Sequence, residues 1–221
     1  MTDLSGLISD PREFLKYNLL IMDTSANGVC PFMVQAVGMF RIKPDDRFDN
    51  VIRKSKRFWK SSYGIKALKV SWAHMDSGSD TLAGFWLPYE ADNTKTATLP
   101  SAGRSDARLM FTAPLSGCTF ASATYKNGTA KVAHANYQTE EGTIDHGRIQ
   151  QNTNGFTNYT HRDSYRTRKH GRAVSPMQQA GLLMTVVGVN LPQKGWKFYG
   201  QQFELDMMTC QVEYIKLHYL N

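Results

Sequence analysis

The chain has 221 residues and a mass of 24.9 kDa, enough for one sizeable core, so we expect residues 1–221 to form a single domain. Hydrophobic residues make up 41% of the sequence and charged residues 20%, a balance that excludes a chain dominated by disorder. The net charge of +7 favours an acidic partner such as nucleic acid or an acidic protein face, although a solvated basic surface is the common alternative.

The N-terminal residues 1–27 predict a helix. Asp10 is a suitable N-cap, Pro11 fits the first turn, and Glu13 lies three residues after the cap. Apolar residues at helical spacing should form its buried stripe: Phe14, Leu15, Leu19 and Met22. The first residues lack the pattern of a cleavable secretion signal, and no stretch approaches the roughly 18 apolar residues of a membrane span. We therefore expect synthesis in the cytoplasm and, if the protein is exported, a dedicated secretion system.

Two elements are predicted next. Residues 29–42 alternate between apolar and polar positions well enough to predict a strand or a pair of short strands. A turn is expected at 44–46, where proline is followed by two aspartates. Residues 48–59 fit an amphipathic helix with a basic outer face, which is either solvated or a docking surface for an acidic partner.

The central part of the chain predicts strands and a loop. Residues 66–74 and 82–89 have β-prone sequences and are separated by a polar turn. Residues 92–105 are rich in threonine, serine and proline, which predicts a surface loop. That loop should lead into a short strand at 108–112.

Asn127-Gly128 is the strongest hairpin signal in the chain, with β-prone residues on both sides. A two-residue loop would place Cys118 and His134 on opposite faces of the sheet. A three-residue loop, with the glycine in the left-handed bulge position, would place His134 opposite Phe120 instead. We predict this bulged hairpin, in which Cys118 and His134 share a face, roughly 7 to 8 Å apart at the backbone.

Residues 139–176 are the least regular stretch, and such a segment in a compact domain is usually functional or disordered. It contains His146, His161 and His170, but without the thiols or carboxylates that accompany them in metal sites, so we expect no metal. A basic run in this stretch could dock an acidic target surface or RNA phosphates, or could simply be solvated: Arg162, Arg166, Arg168, Lys169 and Arg172.

The C-terminal part predicts closing strands at 182–189, 196–205 and 208–220, and the first of them could follow a short helix. A bulge is expected where the apolar alternation slips from Tyr214 to Ile215. About nine strands and two or three helices, largely segregated along the chain, predict an α+β fold, a two-sheet mixed β-sandwich flanked by helices.

Cys118 is the leading candidate for a nucleophile. A thiol has a pKa of about 8.5 and needs a base to become the reactive thiolate, which His134 on the next strand could supply. Thr112 lies shortly before the cysteine and could orient the histidine ring. The amides of Gly117 and Cys118 could stabilise an oxyanion, with Ser116 helping to position the turn. The alternative is that Cys118 is a buried small residue and His134 a satisfied strand histidine.

The other two cysteines, Cys30 and Cys210, have apolar neighbours and are expected to be buried and unreactive. An odd number of cysteines suggests at least one free thiol, and no two of them have the spacing of a CxxC motif. We therefore expect a protein made in a reducing compartment, without a disulfide framework.

Thr112, the Leu-Ser-Gly-Cys sequence at 115–118 and the histidine on the next strand resemble the cysteine deamidases grouped with cytotoxic necrotizing factor, Burkholderia lethal factor and the chemotaxis deamidase CheD. The resemblance covers Arg108 to Tyr137, and toxins like Burkholderia lethal factor are nearest in length and architecture. CheD-like chains follow the histidine with a methionine-leucine-proline run, whereas this chain has Ala-Asn-Tyr, which favours the toxin branch.

This resemblance implies a catalytic triad of Thr112, Cys118 and His134 that hydrolyses a glutamine side chain of a target protein to glutamate, in one catalytic domain and without cofactor or metal. In the necrotizing factors a backbone carbonyl replaces the threonine, so the role of Thr112 stays open. The implied protein is a monomeric bacterial toxin or effector, delivered to the host cytosol, where relatives act on a translation-initiation helicase or small GTPases.

Other functions remain open at this point. An amine in place of water would turn the same intermediate into a transglutaminase product. A cysteine peptidase would use the same pair to cleave a backbone. A non-enzymatic module that binds nucleic acid or protein would use the basic segments and would be indifferent to Cys118→Ser.

Overall fold

The computed structural model describes residues 4–23, 36–48, 51–54, 61–73, 81–169, 172–173, 181–206, 209 and 211–221. The described helices are α1 (Ser5–Ser9), α2 (Pro11–Tyr17), α3 (His146–Asn152) and α4 (Arg162–Arg166). The described strands are β1 (Asn18–Met22), β2 (Ala36–Pro44), β3 (Val51–Lys54), β4 (Ser61–Ala73), β5 (Thr81–Leu87), β6 (Asn93–Leu99), β7 (Leu109–Thr112), β8 (Thr119–Thr124), β9 (Ala130–Asn136), β10 (Asn158–Thr160), β11 (Arg168–Lys169), β12 (Arg172–Ala173), β13 (Leu182–Leu191), β14 (Gly195–Asp206) and β15 (Gln211–Tyr219).

Most strands belong to one large mixed sheet. Its order is β1-β4-β2-β5-β7-β13-β14-β15-β3, and β3 also pairs with β4, so the sheet curls back on itself. A second, antiparallel sheet has the order β10-β8-β9-β6, and β11 and β12 form a small ribbon. The protein is therefore mainly β, with two principal sheets and a few short helices among the described residues. The prediction of two sheets with flanking helices is confirmed, but helices contribute less than an α+β fold implies.

The N-terminal helix is shorter than its sequence predicts. The Asp10 side chain accepts a hydrogen bond from the amide of Glu13, and Pro11 occupies the first turn of α2, so the predicted cap is confirmed. The helix ends at Tyr17, however, and the apolar run after it forms β1, which pairs in parallel with β4. Sheet pairing with a distant strand outweighs the helical spacing of this run, and the predicted helix over 18–22 is wrong.

Two further predictions are corrected by sheet pairing. Residues 51–54 form β3, between β15 and β4, where a helix was predicted over 48–59. Residues 93–99 form β6, which pairs with the whole of β9, where a surface loop was predicted. Both stretches contain β-branched residues, which favour strands when a neighbouring edge is available.

Other predictions are confirmed in the described residues. The amide of Phe48 donates to the Asp45 carbonyl in the turn expected at 44–46. The β14–β15 ladder shifts register between Gln202 and Phe203, so that Ile215 is the extra residue of the expected bulge. The predicted strand start at 29–35, the second half of the predicted helix over 48–59, the turn at 75–80 and the helix before β13 lie outside the described residues.

The core is divided by the large sheet. One apolar cluster lies between the two sheets and includes Phe85, Met110, Leu115, Phe120, Val132, Met184, Trp196 and Phe198. A second cluster lies on the opposite face of the large sheet under α1 and α2 and includes Leu7, Leu15, Phe40, Phe111, Val187 and Tyr199. None of the described helices is long and apolar enough to cross a membrane. The first cluster contains the candidate cysteine, so the site is built into the layer between the sheets.

Candidate functional site

The β8–β9 hairpin has the bulged turn that the sequence predicts. The amide of Tyr125 donates to the Thr129 carbonyl, and Gly128, at a φ of +81°, donates to the Tyr125 carbonyl. His134 is consequently paired with Phe120. The register decides on which face of the sheet the histidine lies, and this register puts it on the same face as Phe120.

Neighbouring contacts identify the two faces of this sheet. Cys118 packs with Phe120 in the cluster between the sheets. Thr119, the next residue, points to the outer face, where its hydroxyl lies 3.0 Å from Nδ1 of His161. Since side chains alternate along a strand, Cys118 and His134 both lie on the inner face. The structure therefore brings the predicted nucleophile and base to one face of one hairpin.

His134 is fully buried, with 1% of its surface exposed. Neither ring nitrogen has a hydrogen-bond partner among the described residues. Burial lowers the pKa of the imidazole to about 4, so the ring is neutral at physiological pH. Buried polar side chains nearly always have a partner, and an exception in a native fold calls for a reason such as a catalytic role.

Cys118 is also buried, at 3% exposure. Burial raises the pKa of its thiol to about 12, and two opposing effects lower it: a hydrogen bond from the backbone of Ser116 and the charge of Arg166. The resting residue is therefore a thiol beside groups that stabilise the thiolate once it forms.

The turn before Cys118 is held by Tyr165 of α4, which is fully buried. Its hydroxyl accepts a hydrogen bond from the amide of Gly117 at 3.0 Å and donates one to the carbonyl of Cys118 at 2.9 Å. Its own carbonyl accepts from Nε2 of Gln202 at 2.6 Å. From the next residue of α4, the Arg166 guanidinium donates to the carbonyl of Ser116. The helix thus fixes the backbone on both sides of the cysteine.

Gly117 itself has a backbone conformation suited to glycine, with a φ of +153°. A Cβ at this position would lie 3.3 Å from the Arg166 guanidinium. The amide of Gly117, proposed from sequence as an oxyanion donor, is occupied by Tyr165 in this structure. Its contribution here is to let the chain turn sharply under α4.

Thr112 ends β7 in the same inter-sheet layer and is fully buried. Its hydroxyl donates to the carbonyl of Ala113 at 2.8 Å. The described structure shows no hydrogen bond between this hydroxyl and His134, whose nitrogens are both unpaired. The role of Thr112 as an orienting group stays a prediction.

Two residues that the sequence did not single out complete the site. The Asn136 side chain donates from Nδ2 to the hydroxyl of Tyr89 at 3.1 Å. The Tyr89 ring packs against the His134 ring, with centroids 5.7 Å apart, and 43% of its surface is exposed. Burial, and then the charge of Cys118, raise the pKa of Tyr89. Tyr89 therefore packs against His134, lies within electrostatic reach of Cys118 and is partly exposed to solvent.

The chain matches no protein-family model, and no curated protein has a significantly similar sequence. Function must therefore be argued from the site itself. The strongest feature of that site is its pair of buried, neutral and chemically complementary side chains.

The predicted basic docking cluster is only partly described. Arg162 and Arg166 lie one turn apart on α4, near enough for the charge of Arg162 to lower the pKa of Arg166, after the larger effect of burial. Lys169 forms ion pairs with Glu204 and Glu213, at 2.7 Å to the latter. The side chains of Arg168 and Arg172 lie outside the described residues. Arg166 is thus the member of the cluster that contacts the cysteine turn, and Arg162 lies one helical turn from it.

No group of three or more potential metal ligands occurs among the described residues. His146 and His161 are close, with ring centroids 4.9 Å apart, and the second stacks on Tyr159. His170, Cys30 and Cys210 lie outside the described residues.

Proposed function

We propose that the protein is a cysteine-dependent protein-glutamine deamidase that uses Cys118 as nucleophile and His134 as base. One observation carries the proposal. His134 is fully buried without a partner for either ring nitrogen among the described residues, on the sheet face that holds Cys118. Burial of an imidazole without hydrogen bonds costs stability, and a catalytic role is a physical reason to retain it.

The chemistry begins from a neutral pair. Cys118 Sγ attacks the carboxamide carbon of a glutamine while its proton passes to His134. The imidazolium then gives this proton to the departing nitrogen, which leaves as ammonia, and a thioester remains. Water, deprotonated by His134, hydrolyses the thioester to glutamate and frees the thiol. No cofactor is required by these steps.

The surroundings act on the first step of this sequence in both directions. A thiolate buried among apolar side chains is costly, which is why the thiol pKa is raised to about 12. The Arg166 charge and the Ser116 backbone oppose that cost as the proton leaves. His134 is neutral at pH 7 and so has a nitrogen available for the proton, but with a pKa of about 4 it is a weak base, and the transfer is completed only as Sγ bonds to the carbonyl carbon.

The resemblance to toxin-like deamidases gives the proposal its biological setting. In that setting the two sheets form a sandwich, Thr112 assists His134, and the protein is a secreted bacterial effector that modifies a host protein in the cytosol. Arg162 and Arg166 would contact an acidic surface of that target, close to the cysteine turn.

The test is mass spectrometry of proteins from eukaryotic cells exposed to wild type or to Cys118→Ser. Deamidation adds about one mass unit to a glutamine, and we expect such a gain only with the wild type. His134→Ala should also abolish it, whereas His218→Ala, a histidine on β15, should not. Both inactive variants should unfold cooperatively like the wild type.

Other results would contradict the proposal. Cleaved host peptides would indicate a peptidase. Glutamines joined to amines would indicate a transglutaminase. Unchanged host proteins, together with salt-dependent binding of RNA that survives Cys118→Ser, would indicate a binding module.

A further inference from the structure

The proposed reaction needs hydrogen-bond donors for the oxyanion that forms when Cys118 attacks a carbonyl carbon. The amide of Gly117 already donates to Tyr165, and the Tyr165 hydroxyl in turn donates to the carbonyl of Cys118. Because Tyr165 is fully buried, these bonds hold the turn in place. The amide of Gly117 is therefore already used, and any donor besides the amide of Cys118 must come from another part of the site.

Asn136 lies across the β8–β9 ladder from Cys118. The ladder ends with Thr119 opposite Ala135, so one further step brings Cys118 beside Asn136 on the inner face. Residues directly opposite each other in such a ladder have Cβ atoms about 4.5 to 5.5 Å apart. Continuing the pairing by this one step places the carboxamide of Asn136 as a cross-strand donor at the cysteine end of the hairpin.

Tyr89 supplies a second donor. Its hydroxyl accepts one hydrogen of the Asn136 amide at 3.1 Å, which leaves its own hydrogen free to be donated. The second hydrogen of the Asn136 amide has no acceptor among the residues that the structure describes, so it is also available. The thiolate of Cys118 raises the pKa of Tyr89, after the larger effect of burial, so the phenol lies within electrostatic reach of the sulfur. The Tyr89 ring also packs against the ring of His134, with centroids 5.7 Å apart.

We propose that Asn136 and Tyr89 are the oxyanion-stabilising residues of this site, with Asn136 Nδ2 and Tyr89 Oη donating to the carbonyl oxygen of the group that Cys118 attacks. This inference rests on the proposed function and deepens it. As the bond from Sγ to carbon forms, the carbonyl π electrons move to the oxygen and the thiol proton moves to His134. Collapse restores the carbonyl, breaks the carbon–nitrogen bond and releases ammonia with the proton from His134.

Two small reagents separate this role from activation of the thiol. Acylation of Cys118 by p-nitrophenyl acetate passes through an oxyanion, whereas alkylation by iodoacetamide displaces iodide from a saturated carbon and does not. Both rates are measured at Cys118 by peptide mass spectrometry on the full chain. The variants are Asn136→Ala and Tyr89→Phe, and the matched control is Asn158→Ala on β10, where the asparagine bonds its neighbour Thr157.

We expect Asn136→Ala and Tyr89→Phe each to slow acylation by about 10- to 100-fold, since loss of one oxyanion donor costs up to about 10³-fold in established sites. Alkylation should stay within about twofold of wild type, and Asn158→Ala should change neither rate. If Asn136→Ala fails to fold, Tyr89→Phe alone tests the inference, because it removes a hydroxyl and keeps the ring.

Acylation at the wild-type rate in both variants would overturn the inference and leave the nucleophile intact. An equal fall in acylation and alkylation would overturn it too, because the residues would then only shape access to Cys118. A wild-type Cys118 that resists both reagents, with no effect of His134→Ala, would refute the proposed function itself.

Discussion

His134 on β9 and His218 on β15 are two strand histidines whose pKa burial lowers to about 4. They differ in the hydrogen-bond partners that the protein provides for their ring nitrogens. His218 has Nε2 at 2.9 Å from Oε1 of Gln202, whereas neither nitrogen of His134 has a partner among the described residues. A low pKa therefore does not by itself distinguish a functional histidine from a structural one. The missing partners of both His134 nitrogens in the described part of the chain, on the face shared with Cys118, are the observation on which its proposed role rests.

The largest expected difference between the two histidines is in the reactivity of Cys118. A general base contributes about 10²- to 10⁴-fold, so His134→Ala should slow acylation of Cys118 by p-nitrophenyl acetate by at least about 100-fold. His218→Ala should change that rate by no more than about threefold, because His218 reaches the cysteine turn only indirectly, through Gln202 and Tyr165. If both substitutions slowed acylation of Cys118 equally, His134 would have no special role as the base.

Stability should change in opposite directions when each histidine is replaced by leucine. His134→Leu removes two unpaired buried nitrogens and should raise the free energy of unfolding at pH 7 by about 1 kcal/mol. His218→Leu leaves Oε1 of Gln202 without that partner and should lower it by about 1 kcal/mol. Urea unfolding of both variants measures the two effects. A loss of stability in His134→Leu would mean that the ring nitrogens are satisfied in solution.

The pH dependence of stability should be shared by the two histidines. Each has a folded pKa near 4, below the ordinary value of 6.5, so between these values the unfolded state binds the extra proton. The free energy of unfolding therefore rises with pH across this window, by about 1.4 kcal/mol per pH unit for each histidine, and levels off above it. Urea unfolding from pH 4.5 to 7 measures how steeply the free energy of unfolding rises with pH. Replacing either histidine by leucine should remove the contribution of one proton from that slope. An unchanged slope in His134→Leu would indicate that this ring protonates in the folded state.

The smallest expected effect concerns Arg166, which acts on the cysteine and not on the histidine. Its charge lowers the pKa of Cys118, so Arg166→Gln should raise that pKa further and slow alkylation by iodoacetamide near pH 8 by about 3- to 10-fold. Arg166→Lys keeps the charge and should recover part of the rate. The pH at which alkylation reaches half its maximal rate should move upward in Arg166→Gln, and a downward shift would contradict the assigned role.

Sequence reasoning worked where a structure depends on residues close together in the chain. The cap at Asp10 and the turn after Pro44 are each defined within a few residues. It failed at β1, β3 and β6, whose strand state depends on partners distant in sequence. The local sequence of such a stretch does not show which distant strand it will pair with in the sheet.

The candidate site divides in the same way. Cys118, His134 and their shared face could be predicted because one hairpin contains both. Tyr165 was missed although it is the large apolar residue within a polar, basic segment, which is a signal for burial that could have been used. Tyr89 has no such signal, because its contact with His134 depends on the loop after β5 meeting β9.

The sequence by itself determined the bulged hairpin and, through its register, the face that Cys118 and His134 share, because turn chemistry and side-chain alternation are local properties. Only the tertiary structure decided how those residues are buried, which groups oppose that burial, and which bonds are missing. The hydroxyl that holds the Cys118 carbonyl comes from Tyr165, 47 residues along the chain. Electrostatics and desolvation depend on everything packed around a group, so the neutral state of the pair is a property of the whole fold.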